Sequence, residues 1–332
     1  MTWIIRAPVE KGKRQYTLET GNKQPDWAPI KALKNDGKLV IKTSDKELLC
    51  YHFEPVFPPE GIDQVYHRSA FIHPLNTPEG KVLTRIQPPG HYHHYGVWNA
   101  WTHVLFEGDT LDFWNLIKKE GTVRFAGFNF INEGPVYSEY EAVHEHVVLK
   151  GGKEKVALNE IQHIKVFYPN TEYYFIDITS QFTCAANEPF RILEYRYAGL
   201  GWRATAEWDR TNSSLFTSEG KTRNEADGSL ARWFVLQGKL GDTHGGMVMM
   251  SHPLNYNHPE PIRVWPDSAE KRGEIFVNYS PTKNKDWVME PGKTYTLRYR
   301  LVVFDGSFDP EKANSGWKYY ANPEKLVDIN IP

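Results

Sequence analysis

Apolar and polar residues alternate one by one along much of this chain, and this period of two is the feature that most limits its fold. Between positions 174 and 184, for example, Ile176 and Ile178 alternate with Asp177 and Thr179. Such alternation is typical of strands that bury one face and expose the other. Helical periodicity is scarce, so the chain is predicted to be all-β.

Further strands are predicted wherever a similar pattern or a short apolar run recurs. These segments are 38–43, 47–54, 81–87, 122–131, 143–149, 155–167, 191–198, 231–238, 246–251, 274–279 and 294–303. Gly151 and Gly152 tolerate positive φ and predict a hairpin between two of them. The many strands and the absence of a dividing linker favour one large antiparallel sandwich. We therefore predict a single β-sandwich domain over residues 1–332.

Two short helices are also predicted. Asp309 followed by Pro310 has the form of an N-cap and a first helical position, which predicts a helix at 310–320. Residues 309–332 are accordingly interpreted as a C-terminal helical tail. Residues 109–119 are predicted to hold the second helix.

Composition excludes several classes of protein. The 39 basic and 41 acidic residues give a net charge of −2, which argues against a nucleic-acid partner or an anionic membrane surface. No stretch approaches the ~18 apolar residues of a membrane span, so we expect a soluble protein without membrane insertion. With only Cys50 and Cys184, neither a disulfide framework nor a cysteine zinc site is available. The first residues carry too short an apolar run for a signal peptide as they stand.

The aromatic content stands out in a chain of mean hydropathy −0.57, with 11 Trp, 18 Tyr and 17 Phe. The densest chemistry lies among these rings, in a loop between Pro88 and His103. Its candidate residues are His91, Tyr92, His93, His94, Tyr95, Trp98 and Trp101. Imidazole titrates near neutral pH, so the histidines suit acid–base catalysis. If the loop is extended, His91 and His93 share one face and His94 points to the other.

Two alternatives stay open for this loop. The histidines can be hydrogen-bonded surface residues without a catalytic role. They can also bind a metal, which requires convergence with a carboxylate such as Glu107, Asp109 or Asp112. Spacing alone does not show that convergence, so we expect no metal and no other cofactor.

A second candidate cluster is a turn with two His-Pro pairs. It holds His252, Asn255 and His258 and leads to Arg263. Proline fixes the backbone of such a turn, and the side chains offer donors for hydroxyl and carboxylate oxygens. The alternative is a capped turn without function. We predict that this turn and the histidine loop converge over one concave sheet face.

A third group of candidates lies on predicted strands. Alternation puts Glu160 and Gln162 on one face and His163 on the other. Arg196 and Arg203 are suited to holding a carboxylate through two parallel hydrogen bonds. The alternative for both arginines is a solvated strand face with weak ion pairs.

Several motifs are absent from the sequence. There is no glycine-rich nucleotide-binding loop and no Gly-x-Ser-x-Gly elbow, which speaks against nucleotide sites and a serine hydrolase. A pair of carboxylates for glycoside hydrolysis leaves no local signature, so a glycoside hydrolase stays open.

Three sequence blocks resemble a bacterial family often labelled PmoA-like. They are GHYHHYGVWNAWTHVLFEGDTLDFWN, then LARWFVLQG with SHPLNYNHPEPIRVW, then PGKTYTLRYRLVVFDG, and together they span roughly residues 80 to 306. The resemblance implies a galactose-mutarotase-like β-supersandwich and a carbohydrate-active protein. It also implies a periplasmic location if a signal peptide has been removed, and a cytoplasmic one otherwise.

The resemblance also implies site residues and a reaction. His91, His93 and His94 take the histidine positions of the family, and His252, Asn255 and His258 take those of its His-Pro-x-Asn block. The family usually has Arg where this chain has Tyr95. Some members look like dehydratases that act on oligosaccharides from the algal polysaccharide ulvan.

We therefore expect a lyase that eliminates water from a uronic-acid-containing oligosaccharide. A histidine of the loop acts as base or acid, with His252 or Tyr95 as its partner, and Arg196 or Arg263 binds the carboxylate. Tyr92, Trp98 and Trp101 are expected to offer faces to the sugar rings. A mutarotase or epimerase and a non-catalytic sugar-binding module remain as alternatives.

Overall fold

The structure is a computed structural model that describes residues 29–168 and 171–322. The chain start, on which the signal-peptide prediction rests, and residues 323–332 of the predicted tail lie outside the described residues. Within the described part, the strands form three sheets and each strand pairing is antiparallel.

The first sheet has nine strands. In their spatial order these are β1 (Lys31–Asn35), β2 (Lys38–Lys42), β3 (Glu47–His52), β4 (Phe71–Leu75), β5 (Val97–Ala100), β13 (Gly199–Arg203), β19 (Phe276–Tyr279), β18 (Glu260–Val264) and β15 (Leu230–Ala231). The second sheet has eight strands. Their order is β14 (Ser213–Thr217), β16 (Trp233–Leu240), β17 (Thr243–Ser251), β21 (Thr294–Asp305), β11 (Tyr173–Cys184), β10 (Lys155–Phe167), β9 (Tyr137–Val148) and β8 (Gly121–Asn132).

A third, smaller sheet has four strands. They are β20 (Trp287–Met289), β12 (Phe190–Ile192), β6 (Val104–Phe106) and β7 (Asp109–Leu111). Three short 3₁₀ helices (Gln64–Tyr66, Leu116–Lys118 and Lys150–Gly152) lie in connections, and one α-helix, α1 (Pro310–Ala321), follows the last strand. The prediction of an all-β antiparallel sandwich with a short C-terminal helix is confirmed.

One large hydrophobic core contains buried residues from all three sheets. Alternation along the nine-stranded sheet decides which side chains reach it. Trp202 and Val264 point into this core, whereas their neighbours Arg203 and Trp265 lie on the other face of the same sheet. That other face, the outer face, carries a second cluster of buried aromatic rings. The period of two therefore gives the sheet two occupied faces, and the outer one carries the predicted histidine loop.

The C-terminal helix begins as the sequence predicts. The Asp309 carboxylate accepts a hydrogen bond from the backbone N–H of Lys312 at 2.8 Å, and Pro310 is the first helical residue. Such an N-cap typically contributes about 1 kcal/mol. Helix α1 packs its Ala313 and Trp317 against the outer face of the eight-stranded sheet at β16, β17 and β21.

Three local predictions are wrong. Residues 81–87 form only single bridges to three different segments, so no continuous strand develops. The strand predicted at 191–198 ends at Ile192, after which the chain leaves the sheet. The helix predicted at 109–119 begins as strand β7 and continues as a turn in which the Asp112 carboxylate accepts hydrogen bonds from two backbone N–H groups. Within that range only Leu116–Lys118 is helical, as a single 3₁₀ turn.

Candidate functional site

The histidine loop is a closed turn rather than an extended segment. The Gln87 N–H donates to the His94 carbonyl at 2.8 Å, and inside this closure the N–H of His94 bonds to the carbonyl of His91 at 3.0 Å. Gly96 then turns the chain into β5 with a φ of +61°, where a Cβ would lie 2.2 Å from the Ile72 carbonyl oxygen. Only glycine fits that position.

The closed turn brings the three histidines into mutual contact. Their ring centroids are 5.9 Å apart for His91 and His93, 5.1 Å for His91 and His94, and 4.7 Å for His93 and His94. The predicted split, with His94 on the opposite face, is wrong because the loop turns instead of extending. His94 is buried, while His91 and His93 are half-buried. The cluster is therefore reachable from solvent through two of its three rings.

A buried arginine lies beside the three histidines. The Arg203 side chain is 1% exposed, and its guanidinium carbon lies 4.8 Å from the ring centroid of Trp265. Its Nη2 donates to Glu274, whose other oxygen is 3.3 Å from Arg85. The Nε and Nη1 of Arg203 have no hydrogen-bond partner among the described residues. Buried polar groups in proteins are nearly always paired, so these two N–H groups mark a place for an acceptor.

The electrostatics keep the three imidazoles neutral at neutral pH. Burial lowers the pKa of His91, His93 and His94 from the usual 6.5, and the positive charge of Arg203 adds to this effect for each of them. For His93 the pKa falls to about 4. Arg203 itself has a pKa lowered to about 10 by burial and keeps its charge. The site thus combines a permanent cation with neutral proton acceptors.

Aromatic rings pack beneath the histidines of the site. His94 packs on Trp98, Trp265 and Phe276 at centroid distances of 5.3, 5.6 and 5.0 Å. Trp98 in turn lies 5.0 Å from Trp114, with 52° between the ring planes. Trp98 is only 2% exposed, so it supports the histidines from below and does not offer a face to a sugar. The prediction of a stacking role for Trp98 is therefore wrong.

Trp101 is also misplaced by the sequence-based prediction. It is fully buried and packs in the main core against Phe182 and Trp287. It lies there because the alternation of β5 continues past Ala100, so that Val97 and Trp101 face the main core while Trp98 and Ala100 face the outer cluster. Trp101 therefore has no part in the candidate site.

The two tyrosines of the loop, Tyr92 and Tyr95, differ in burial and in their contacts. Tyr95 is fully buried, its hydroxyl donates to the backbone carbonyl of Tyr66, and burial raises its pKa above the ordinary value. A proton held this way is not available to a substrate, so the predicted catalytic role of Tyr95 is wrong. Tyr92 is half-buried and packs on the ring of Tyr66 at 5.6 Å, which leaves it at the rim of the site.

Strand β18 and the segment before β13 complete the site. Arg263 donates to the hydroxyl of Tyr197 at 3.3 Å and pairs with Asp227 at 2.9 Å. Arg196 is exposed, and its guanidinium carbon lies 5.3 Å from the ring centroid of Tyr197. Both predicted arginines therefore belong to this side of the molecule. The Nε of Arg263 has no hydrogen-bond partner among the described residues.

The His-Pro turn does not join the site. His252 contacts Tyr320 and His258 contacts Trp317, and both of these aromatic residues belong to helix α1. Asn255 is buried and uses its side chain to bond the Arg298 backbone and a buried carboxylate. The predicted convergence fails for these three residues because the turn closes against α1 and not against the outer face of the nine-stranded sheet.

His163 lies elsewhere as well. Its Nε2 is 2.9 Å from a carboxylate oxygen of Glu139, and Lys165 pairs with the same oxygen at 3.0 Å. Alternation along β10 buries Glu160 and leaves His163 on the outer face of the eight-stranded sheet, as predicted. A substrate-binding role for His163 at the histidine cluster is not compatible with that face.

The three candidate carboxylates of the metal alternative lie in other contacts. Glu107 and Asp109 pair with Lys155 and Lys150 on the β9–β10 hairpin. Asp112 pairs with Lys118 at 2.8 Å and caps the turn after β7. In residues 29–168 and 171–322, no three His, Cys, Asp or Glu side chains are grouped so that they could hold a metal ion.

Sequence reasoning did not select four residues of this site. They are Arg85, Tyr197, Trp265 and Glu274. Each reaches the site through the pairing of distant strands or through a connection. Trp265 alone carried a local signal, since it follows Arg263 by two positions and so shares its strand face.

The family of this chain follows from a comparison over most of its length. Residues 38–318 match the "Family of unknown function (DUF6807)". The chain belongs to this family. The DUF6807 match runs from the first residue of β2 into α1, so it includes the whole histidine cluster, Arg203 and Tyr197. No curated protein matches the chain.

Solved structures resemble the chain only distantly. A mutant of the heparan sulfate lyase HepC from Pedobacter heparinus is 10% identical with a TM-score of 0.39, and the match covers 86% of this chain and 38% of that one. A putative kojibiose phosphorylase from human microbiome is 10% identical with a TM-score of 0.32, over 87% of this chain and 32% of that one. The chain thus spans about 38% of the lyase that it resembles. Function must therefore be inferred from the residues of the site itself.

No helix among the described residues is both long enough and apolar enough to cross a membrane.

Proposed function

We propose that this protein is a carbohydrate-active lyase that eliminates water from a uronic-acid-containing oligosaccharide at the histidine cluster. The observation that carries the proposal is Arg203, a buried cation with two unpaired N–H groups beside three neutral imidazoles. A carboxylate is the ligand that matches such a guanidinium in charge and in geometry. The choice of elimination and of ulvan as the source polysaccharide comes from the PmoA-like resemblance of the sequence.

Binding of a carboxylate at Arg203 has a basis in hydrogen bonding. Arg85 and Arg203 share Glu274, and Glu270 adds a second negative charge near Arg203, so the unpaired donors, and not the net charge, favour a carboxylate here. A uronate carboxylate supplies acceptors for Nε and Nη1. Binding also reduces the negative charge that develops on the carboxylate when the neighbouring carbon loses its proton.

The same binding step activates the base. Burial is the main cause of the lowered pKa of His93, and the positive charge of Arg203 lowers that pKa further. A bound carboxylate offsets the effect of Arg203 and makes the imidazole a better proton acceptor. His93 is half-buried and neutral, and we assign it the role of base. It takes the C5 proton, the electron pair of that C–H bond forms the C4–C5 double bond, and the C4–O bond breaks. The departing hydroxyl gains a proton from an acid and leaves as water. The proposed reaction needs no cofactor, and elemental analysis of the purified protein checks that part of the proposal.

The test is incubation of the purified protein with a panel of uronate-containing oligosaccharides, including those from ulvan. We expect a product about 18 mass units lighter that absorbs near ~235 nm, as for a conjugated unsaturated uronate. His93→Ala should lower the rate by ~10²–10⁴-fold, as for loss of a general base. His163→Ala is the matched control, because His163 lies on the other sheet and should keep the wild-type rate.

Other outcomes identify the alternatives. A product about 18 mass units heavier would show a glycoside hydrolase. An altered sugar of unchanged mass would show a mutarotase or epimerase, and tight binding without any product would show a sugar-binding module. Full activity of His93→Ala would refute the assignment of the histidine loop.

A further inference from the structure

Tyr197 occupies a defined place at the edge of the histidine site. It lies in the connection that leaves β12 and leads into β13, and its ring packs against Trp114 and Phe276 at centroid distances of 5.9 and 5.8 Å. These rings belong to the same aromatic cluster that supports His94. The side chain is half-buried, so its position is fixed without being sealed from solvent.

The Tyr197 hydroxyl accepts two hydrogen bonds. The indole Nε1 of Trp265 donates to it at 3.0 Å, and Nη2 of Arg263 donates to it at 3.3 Å. A hydroxyl oxygen has two lone pairs and one proton. Both lone pairs are engaged, so the proton must point in a third direction. In the part of the chain that the structure describes, no hydrogen bond from this proton to an acceptor is present.

The N–H donors of Trp265 and Arg263 would also stabilise the Tyr197 oxygen after it has lost its proton. An oxygen that loses a proton becomes negative, and N–H donors already aimed at it stabilise that charge without rearrangement. Arg263 adds a full positive charge, with its guanidinium carbon 5.1 Å from the Tyr197 ring centroid. Asp227 holds Arg263 in place from the other side at 2.9 Å.

Trp265 connects Tyr197 to the histidines. The indole ring contacts His91 and His94 at centroid distances of 4.9 and 5.6 Å, while its Nε1 bonds the Tyr197 hydroxyl. Arg203 packs over the same indole ring. The Trp265 side chain thus contacts the histidines, Arg203 and the Tyr197 hydroxyl. In the proposed reaction these groups are proton acceptors, the cation that binds the carboxylate, and the proton donor.

We propose that Tyr197 is the general acid of the elimination and protonates the departing 4-hydroxyl group. This inference rests on the proposed function. His93 takes the C5 proton, the electrons of the C–H bond form the C4–C5 double bond, and the C4–O bond breaks as the Tyr197 proton moves to the leaving oxygen. Water is released, and transfer of the proton from His93 back to the Tyr197 phenolate restores the starting state.

The test compares Tyr197→Phe with wild type on two substrates. One carries the natural 4-hydroxyl, and the other carries fluoride at C4, which leaves without a proton. Loss of a general acid should lower kcat on the hydroxyl substrate by ~10²–10⁴-fold with little change in KM. On the fluoro substrate the variant should stay within a few-fold of wild type. Tyr195→Phe is the matched control, since Tyr195 stacks on His103 at 3.9 Å and should retain wild-type kcat on both substrates.

The outcomes separate this inference from the proposed function. If wild type eliminates neither leaving group, the proposed function is wrong and the role of Tyr197 falls with it. If wild type is active and Tyr197→Phe is equally impaired on both substrates, Tyr197 positions the site and is not the acid. Wild-type kcat of Tyr197→Phe on the hydroxyl substrate would overturn the inference as well.

Discussion

At the scale of single residues, environment divides the histidines into two kinds. His93 sits among other imidazoles and near Arg203, and its pKa falls to about 4, chiefly through burial. His163 lies on a partly exposed sheet face against Glu139. Burial therefore keeps His93 as a neutral base over a wide range of pH.

This environment predicts the pH dependence of the reaction. A base must be unprotonated to act, so the acid limb of kcat/KM reports its pKa in the free enzyme. Because the pKa of His93 is lowered from 6.5 to about 4, activity should persist well below pH 6 and fall nearer pH 4. A pH profile of kcat/KM measures the position of the acid limb. The control variant His163→Ala should have its acid limb at the same pH as wild type. An acid limb at the ordinary histidine value of 6.5 would contradict the assignment of His93 as base.

At the scale of elements, the His-Pro turn is a platform for helix α1. The indole of Trp317 donates to the Ser251 carbonyl at 2.9 Å and its ring lies parallel to that of His258. Beneath this contact, Glu260 is fully buried and accepts hydrogen bonds from Ser251 and Tyr299 at 2.5 and 2.8 Å. The polar residues that make the turn look like a binding site serve instead to fix a helix on a sheet.

The buried carboxyl of this platform predicts a dependence of stability on pH. Burial raises the pKa of Glu260 from 4.5 to about 7, because its partners are neutral donors and no cation compensates it. The folded state thus holds a proton that the unfolded state releases, so this contribution to stability is complete below about pH 4.5 and is lost as pH rises through 7. A shift of this size corresponds to about 3 kcal/mol.

Chemical denaturation at pH 5 and pH 8 checks this prediction. Glu260→Gln cannot ionise, so it should lose much less stability than wild type between the two pH values. Glu60→Gln, at an exposed position, is the control and should follow wild type. An unchanged pH dependence in Glu260→Gln would show that this carboxyl is not the source.

At the scale of the whole molecule, tyrosine hydroxyls connect the two large sheets. The Tyr174 hydroxyl of the eight-stranded sheet lies 2.5 Å from the backbone carbonyl oxygen of Asn76 and 2.9 Å from that of Leu48 in the nine-stranded sheet, and its single proton is shared between these two acceptors. Tyr51 of the nine-stranded sheet is 2.7 Å from His144 of its partner sheet. These bonds cross the main core at fixed points and so help to set how the sheets lie on each other.

Removal of one such bridge should weaken the sandwich without touching the site. Tyr174→Phe leaves the Asn76 carbonyl without this donor, whereas the Leu48 carbonyl still accepts from the backbone N–H of Asn76 at 2.8 Å. A buried unsatisfied group costs about 1–3 kcal/mol. We expect a lower Tm with unchanged kcat at temperatures where the variant is folded. Tyr319→Phe is the control, since Tyr319 is 62% exposed and should leave Tm unchanged. If Tyr174→Phe has the same Tm as wild type, the Tyr174 hydrogen bonds do not contribute to stability.

The sequence could predict those features that depend on neighbours along the chain. The alternation that buries Ile176 and Ile178 and the Asp309–Pro310 helix start are both local, and both predictions are confirmed. The site depends on residues far apart in sequence, such as Arg203 with Glu274, which meet because β13 pairs with β19. A local sequence pattern does not show which distant strands pair. It also does not show which part of the molecule a polar turn such as 252–258 will pack against.

The contact between Trp98 and Trp114 gives the site an optical signal of its own. Two indoles at 5.0 Å with tilted planes couple their electronic transitions and produce paired bands of opposite sign in circular dichroism. His94 rests on Trp98, so any molecule that shifts His94 alters the surroundings of this pair. Occupancy of the site can therefore be followed spectroscopically, with neither turnover nor an added label, and a Trp114→Phe variant identifies the bands that belong to the pair.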